Sequence, residues 1–159
     1  MTDGSKPETP RPTIWVDGDA APKACKEVVF KAGVRVGLEV VLVANHFQMI
    51  PRLPKLRFVQ VSGGMDVADD YIAEHCQPGD LVLTADIPLA ARVIEAGGTV
   101  LRFRGEELTH ANVKDRLAMR DFMDELRGGG VLTGGPPPYG SSDKQRFANA
   151  LDRWMSQHR

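Results

Sequence analysis

Cysteine is nearly absent from this 159-residue chain: Cys25 and Cys76 are the two, too few for a disulfide framework and at no zinc-ligand spacing. Long apolar runs are missing as well; the stretch 38–44 is typical of the longest, far below the ~20 residues that cross a bilayer. Residues 1–11 carry no apolar signal core. These absences predict a cytoplasmic protein with no membrane partner. A surplus of charge is lacking too. Twenty Lys and Arg face 21 Asp and Glu, for a net charge of −1, which argues against a protein that coats nucleic acid through many phosphate-neutralising cations. Aromatics make up 6%, and Trp15, Phe103 and Trp154 are scattered, which fits core packing better than a stacking platform for bases. What the chain does have is 42% hydrophobic and 26% charged residues, ordinary for a single globular domain with a sizeable core.

Charge is distributed unevenly along that domain. Residues 11–59 hold eight Lys/Arg against four Asp/Glu, a net of +4, whereas 60–100 hold one Arg against seven acids, a net of −6. Residues 1–12, polar and broken by Pro7, Pro10 and Pro12, predict a disordered leader ahead of one domain over 13–159. Within it, Val- and Ile-rich runs at 13–17, 38–44, 57–62, 80–84 and 99–103 predict strands. Helical spacing over 22–36, 67–76 and 88–96 alternates with them, and longer helices follow at 109–127, with Thr109 as its cap, and at about 143–157. Such alternation predicts an α/β fold, a three-layer sandwich with a mainly parallel central sheet and a C-terminal helical extension. The connection 44–57, with Pro51 and Pro54, is too short and broken for a crossover helix, and 133–140 is too rich in Gly and Pro for regular structure.

Parallel strands all point one way, so residues just past their carboxyl ends line a single edge, where open α/β folds place ligands. The acids collect at that edge. Asp17 and Asp19 follow the first strand, Asp86 follows the fourth, and Asp66, Asp69 and Asp70 open the helix after the third at helical spacing. Helix capping accounts for Asp19, Asp66 and Asp86 equally well, but not for Asp17 at the end of an apolar strand. Carboxylates gathered without His or Cys suit Mg²⁺ or Mn²⁺ rather than zinc. Mg²⁺ in turn is usually shared with substrate phosphate oxygens, which predicts a hydrolase acting on a phosphate.

The strings IWVDGDA (14–20), GMDVADDYI (64–72) and GDLVLTADIPLAA (79–91), with RGE (104–106), MRDFMDELR (119–127) and TGGP (133–136), resemble the YaiI/YqxD proteins, a small bacterial family that is itself similar to PIN-like nucleases. The resemblance covers nearly everything from Thr13 onward. It implies a PIN-like domain, a metal-dependent nuclease cutting RNA or other single-stranded nucleic acid, with Mg²⁺ or Mn²⁺ held by acids. Carried over residue by residue, Asp17 matches the acid ending the first strand, Asp69 or Asp70 the acid of the helix motif, and Asp86 that of the Thr84-Ala85-Asp86 turn. Asp66 and Asp19 are in support, and Thr84 orients a neighbouring carboxylate. One departure is Ala21, where the family pattern has a cysteine before the proline, here Pro22.

Other residues at the same edge complete the expected site. Arg102 and Arg104, past the fifth strand, are candidates to grip phosphate; Asn45, with His46, ends the second strand; Lys23 and Lys26 lie on the first helix. Two other functions compete. Asp17-Gly18-Asp19 superficially matches the opening of haloacid-dehalogenase phosphatases, whose first aspartate attacks phosphorus, although Ala20-Ala21 weakens the match. A noncatalytic nucleic-acid-binding module is the third reading.

Overall fold

The computed structural model describes residues 11–130 and 137–158; the first ten residues of the expected leader and the TGGP string at 133–136 lie outside them. The chain is an α/β three-layer sandwich in the order β1 (Thr13–Asp17), α1 (Lys23–Val36), β2 (Glu39–Ala44), β3 (Leu56–Gln60), α2 (Val67–His75), β4 (Leu81–Leu83), α3 (Ile87–Glu95), β5 (Thr99–Leu101), β6 (Glu107–Leu108), α4 (Val113–Gly128) and α5 (Ser141–Ser156). The strands form one sheet ordered β3-β2-β1-β4-β5-β6. All neighbours pair in parallel except β5 and β6.

Side chains alternate across each strand, so the sheet divides the core in two. Ile14, Val16, Val40, Leu42, Leu81 and Leu83 face α1 and α5. Trp15, Val41, Val43, Val82 and Val100 face α2, α3 and the start of α4. Burial on both faces is why these strands read as continuous apolar runs rather than alternating ones. Among the described residues no helix is long and apolar enough to cross a membrane.

Three local features depart from the sequence reading. β6 was not anticipated: two residues give no periodicity, and the strand exists because Gly105, at φ +96°, turns the chain back after β5. A Cβ on Gly105 would meet the Arg146 backbone at 2.8 Å, so glycine also lets α5 close on this turn. Helix α4 begins at Val113 rather than at 109; the Thr109 and Asn112 side chains instead bond the backbone of a turn, Asn112 Oδ1 accepting from Thr109 N at 2.8 Å and Thr109 Oγ1 from Ala111 N at 3.2 Å. Arg11, placed by sequence in the leader, donates to the carbonyls of Val36 and Gly37 at 3.0 and 3.2 Å and so ties the segment to the end of α1. The connection from β2 to β3 runs without a helix, as its prolines predict.

The chain enters the sheet at its middle. From β1 it builds outward through β2 and β3, then returns to the other side of β1 with β4. The carboxyl ends of β1 and β4 therefore flank the point where strand order reverses, which is where an open parallel sheet leaves a crevice.

Candidate functional site

That crevice is a cavity of about 440 Å³ lined by Asp17, Asp19, Asn45, Asp66, Asp69 and Asp86, with Ala20, Gly64, Ala68 and Ala85 between them. The small residues keep it open; the acids give it its chemistry.

Asp17 is the last residue of β1 and is 8% exposed. It is aimed by its neighbour strand. Thr84, fully buried just past β4, donates its hydroxyl to Asp17 Oδ2 at 3.0 Å and accepts the Asp86 backbone N–H at 3.0 Å. Asp86 caps α3, its Oδ1 accepting from Leu89 N at 2.8 Å. One hydrogen-bonded chain thus links both acids through Thr84. Gly18 allows the tight exit from β1: its N–H bonds Val43 O at 2.8 Å, and a Cβ there would fall 2.8 Å from Leu42 Cδ1.

Of the three aspartates that helix capping would explain, Asp86 alone caps. Asp66 precedes α2 at φ +65°, a left-handed conformation uncommon for a residue with a Cβ, and makes no side-chain cap bond. Asp19 takes the Asn45 N–H at 2.7 Å instead of bonding α1, with His46 Nδ1 3.6 Å from its other oxygen.

Electrostatics set the central acids apart. Burial pushes Asp17 above the ordinary carboxyl range, opposed by the Thr84 hydrogen bond and reinforced by Asp19 and Asp86. Asp69, on α2, is pushed up to about 7, first by burial and then by the charges of Asp86 and Asp17. At neutral pH the crevice therefore holds more carboxylate than it can comfortably ionise. Lys26 shares the neighbourhood: burial lowers it, while Asp19 and Asp17 raise it. Its Nζ donates to Gln48 Oε1 at 2.7 Å, and Gln48 Nε2 donates to Gly18 O at 2.9 Å, which fastens the loop after β2 to the turn after β1. Asn45 Oδ1 is buried and has no hydrogen-bond partner.

The remaining expected residues stand elsewhere. Asp70 does not line the crevice; one residue on from Asp69 it is turned about 100° around the helix, and its carboxylate takes Arg92 at 2.7 Å. Lys23 is exposed and outside the cavity. Arg102 and Arg104 line a neighbouring cavity, where Arg102 is paired with Glu106 and Arg104 with Asp143, both at 2.9 Å. Gln48 had no sequence signal, since one loop glutamine matches no motif.

The charged residues that line the crevice are all aspartates, whose oxygens suit a hard divalent cation. Among the described residues, no group of three or more His, Cys, Asp or Glu side chains is drawn tightly enough to hold a metal ion as placed.

A family model described as "Uncharacterized BCR, YaiI/YqxD family" matches residues 15–157. A UPF0178 protein of Xanthomonas oryzae pv. oryzae (strain PXO99A) is 52% identical over 149 residues, spanning 93% of this chain and 92% of that protein. Another from Syntrophotalea carbinolica is 52% identical over 145 residues, 91% of this chain and 98% of that one. A third, from Shewanella baltica (strain OS223), is 53% identical over 142 residues, 89% and 95%. No solved structure matches the chain.

Proposed function

The chain belongs to the YaiI/YqxD family, and from that premise we propose that it is a PIN-like, divalent-cation-dependent phosphodiesterase acting on RNA or other single-stranded nucleic acid. One observation carries the reading. Three carboxylates from three separate elements, Asp17, Asp69 and Asp86, meet at the switch point of a parallel sheet, with Asp69 pushed up to about 7 by burial and by the other two. A fold gains no stability from such an arrangement by itself, whereas a cation among the acids removes the repulsion.

Asp17, Asp69 and Asp86 would hold Mg²⁺ or Mn²⁺, with Asp66 and Asp19 at the rim. When bound, the ion supplies Lewis-acid polarisation of a phosphoryl oxygen and a lowered pKa for attacking water. The protein's own part is positional. Thr84 holds Asp17 in one rotamer, and the α3 cap holds Asp86. Asp69 would have to be ionised to serve as a ligand, so cation binding would strengthen as pH rises. Lys26 offsets the acidic charge that a phosphate must approach.

The test is cleavage of end-labelled single-stranded RNA with Mn²⁺ or with chelator. Asp17→Asn and Asp86→Asn each lower the rate by about a hundredfold, the cost of losing one electrostatic stabiliser, while the melting profile stays cooperative. A double variant with full activity, or cleavage indifferent to chelator, overturns the reading. Binding without cleavage in every condition makes the protein a noncatalytic nucleic-acid module instead.

A further inference from the structure

Beside the acidic crevice lies a second cavity of about 440 Å³ whose lining includes Pro22, Ala85, Phe103, Tyr139, Arg104 and Glu106. Ala85 lines both cavities, so the two adjoin at that residue. We propose that this cavity seats one nucleobase of the strand whose phosphate lies at the acids, a proposal that rests on the phosphodiesterase reading above.

Its walls have the chemistry of a base site. Pro22, Phe103 and Tyr139 present flat apolar surfaces. The Tyr139 ring is fixed in advance: its hydroxyl donates to Phe103 O at 2.7 Å and lies 2.9 Å from Cys25 Sγ. Arg104 is held over that ring at 5.5 Å from its centroid, anchored by Asp143 at 2.9 Å and by Pro137 O at 2.6 Å. The guanidinium covers one face of the ring, and the two together make a wall, ordered in advance, against which a base can lie on the guanidinium plane or the ring edge.

Four arginines share two carboxylates at this rim. Glu106 accepts from Arg102 at 2.9 Å and from Arg116 at 2.7 and 2.9 Å, and Asp143 accepts from Arg104 at 2.9 Å and from Arg146 at 2.7 Å. The rim therefore keeps net positive charge that draws the backbone of the strand toward the cavity, while the apolar walls take the base.

The experiment measures equilibrium binding of fluorescent single-stranded RNA hexamers in Ca²⁺, which fills an oxygen site but is a weaker Lewis acid than Mn²⁺, each carrying one abasic nucleotide at a successive position. Against wild type, one abasic position weakens binding about tenfold, the scale of one stacked base, and the rest change little. Tyr139→Ala erases that dependence, while Tyr139→Phe, which keeps the ring and loses the hydroxyl bond, retains it. A scan in which every position costs the same in wild type, or a position dependence that survives unchanged in Tyr139→Ala, overturns the pocket. If wild type cuts RNA with Mn²⁺ yet the scan is flat, the pocket falls and the phosphodiesterase stands. If the scan shows one dominant position but no condition yields cleavage, the pocket stands as part of a binding module. Absence of binding by wild type overturns the pocket, with cleavage in Mn²⁺ deciding separately on the enzyme.

Discussion

Asp69 concentrates the electrostatic cost of the crevice in one side chain. Its folded value of about 7 lies above the 3.8 of a free aspartate, so between those values the folded chain holds a proton that the unfolded chain has released. Stability therefore falls as pH rises across that window and levels off above it. Asp17 is displaced in the same direction, again mainly by burial. The melting temperature of chelator-treated protein accordingly drops between about pH 4 and about pH 7, and Asp69→Asn flattens the decline. Identical pH slopes in variant and wild type would remove Asp69 as the seat of the repulsion. Sequence spacing identifies Asp69 and Asp70 equally well as ligands. Helix rotation separates them, sending one to the acids and the other to Arg92.

Elements place these residues with little help from their own stability. Helix α3 begins where Asp86 accepts the Leu89 N–H, with Pro88 in the first turn. That carboxylate is thus both a structural cap and a candidate ligand. The two roles separate by substitution: Asp86→Ser keeps a capping oxygen, and Asp86→Ala loses it at a cost of about 1 kcal/mol. Urea titration is expected to find Asp86→Ser near wild type and Asp86→Ala destabilised, while both lose divalent-dependent cleavage. Cleavage retained by Asp86→Ser would reduce the residue to a cap. The β1–α1 turn is equally constrained, since any side chain at Gly18 would press on Leu42 and on the Val43 carbonyl. The short hairpin between β5 and β6 fixes Arg102 and Glu106 on its two arms, with Arg102 N bonded to Glu106 O at 2.8 Å.

At the scale of the whole molecule, the sheet couples two cores that have no direct contact through it except the strands themselves. Phe147 of α5 is fully buried on one face, 6.5 Å from Phe103; Trp15 reports the opposite face and Trp154 the same one. Phe147→Ala should cost about 3–5 kcal/mol through the cavity it leaves. Because alternate residues of the same strands belong to both faces, the loss spreads: Phe147→Ala lowers the urea midpoint by the same amount whether read from Trp15 in a Trp154→Phe background or from Trp154 in a Trp15→Phe background. Unequal shifts would mean that the layers unfold independently. This coupling also ties the crevice to both layers, since Asp17 ends a strand shared by the two cores and Asp69 rides on a helix of one.

Read alone, the chain determined its α/β class, five of its six strands within a few residues, all five helices, and the set of acids at one sheet edge. Those features follow from local periodicity and from the single direction of parallel strands, both legible one residue at a time. It did not determine β6, the start of α4, which aspartates cap and which line the crevice, or the pairing of Arg102 and Arg104 with Glu106 and Asp143. These depend on rotation about a helix axis and on partners as distant as 39 residues, relations that exist only once the chain has closed on itself.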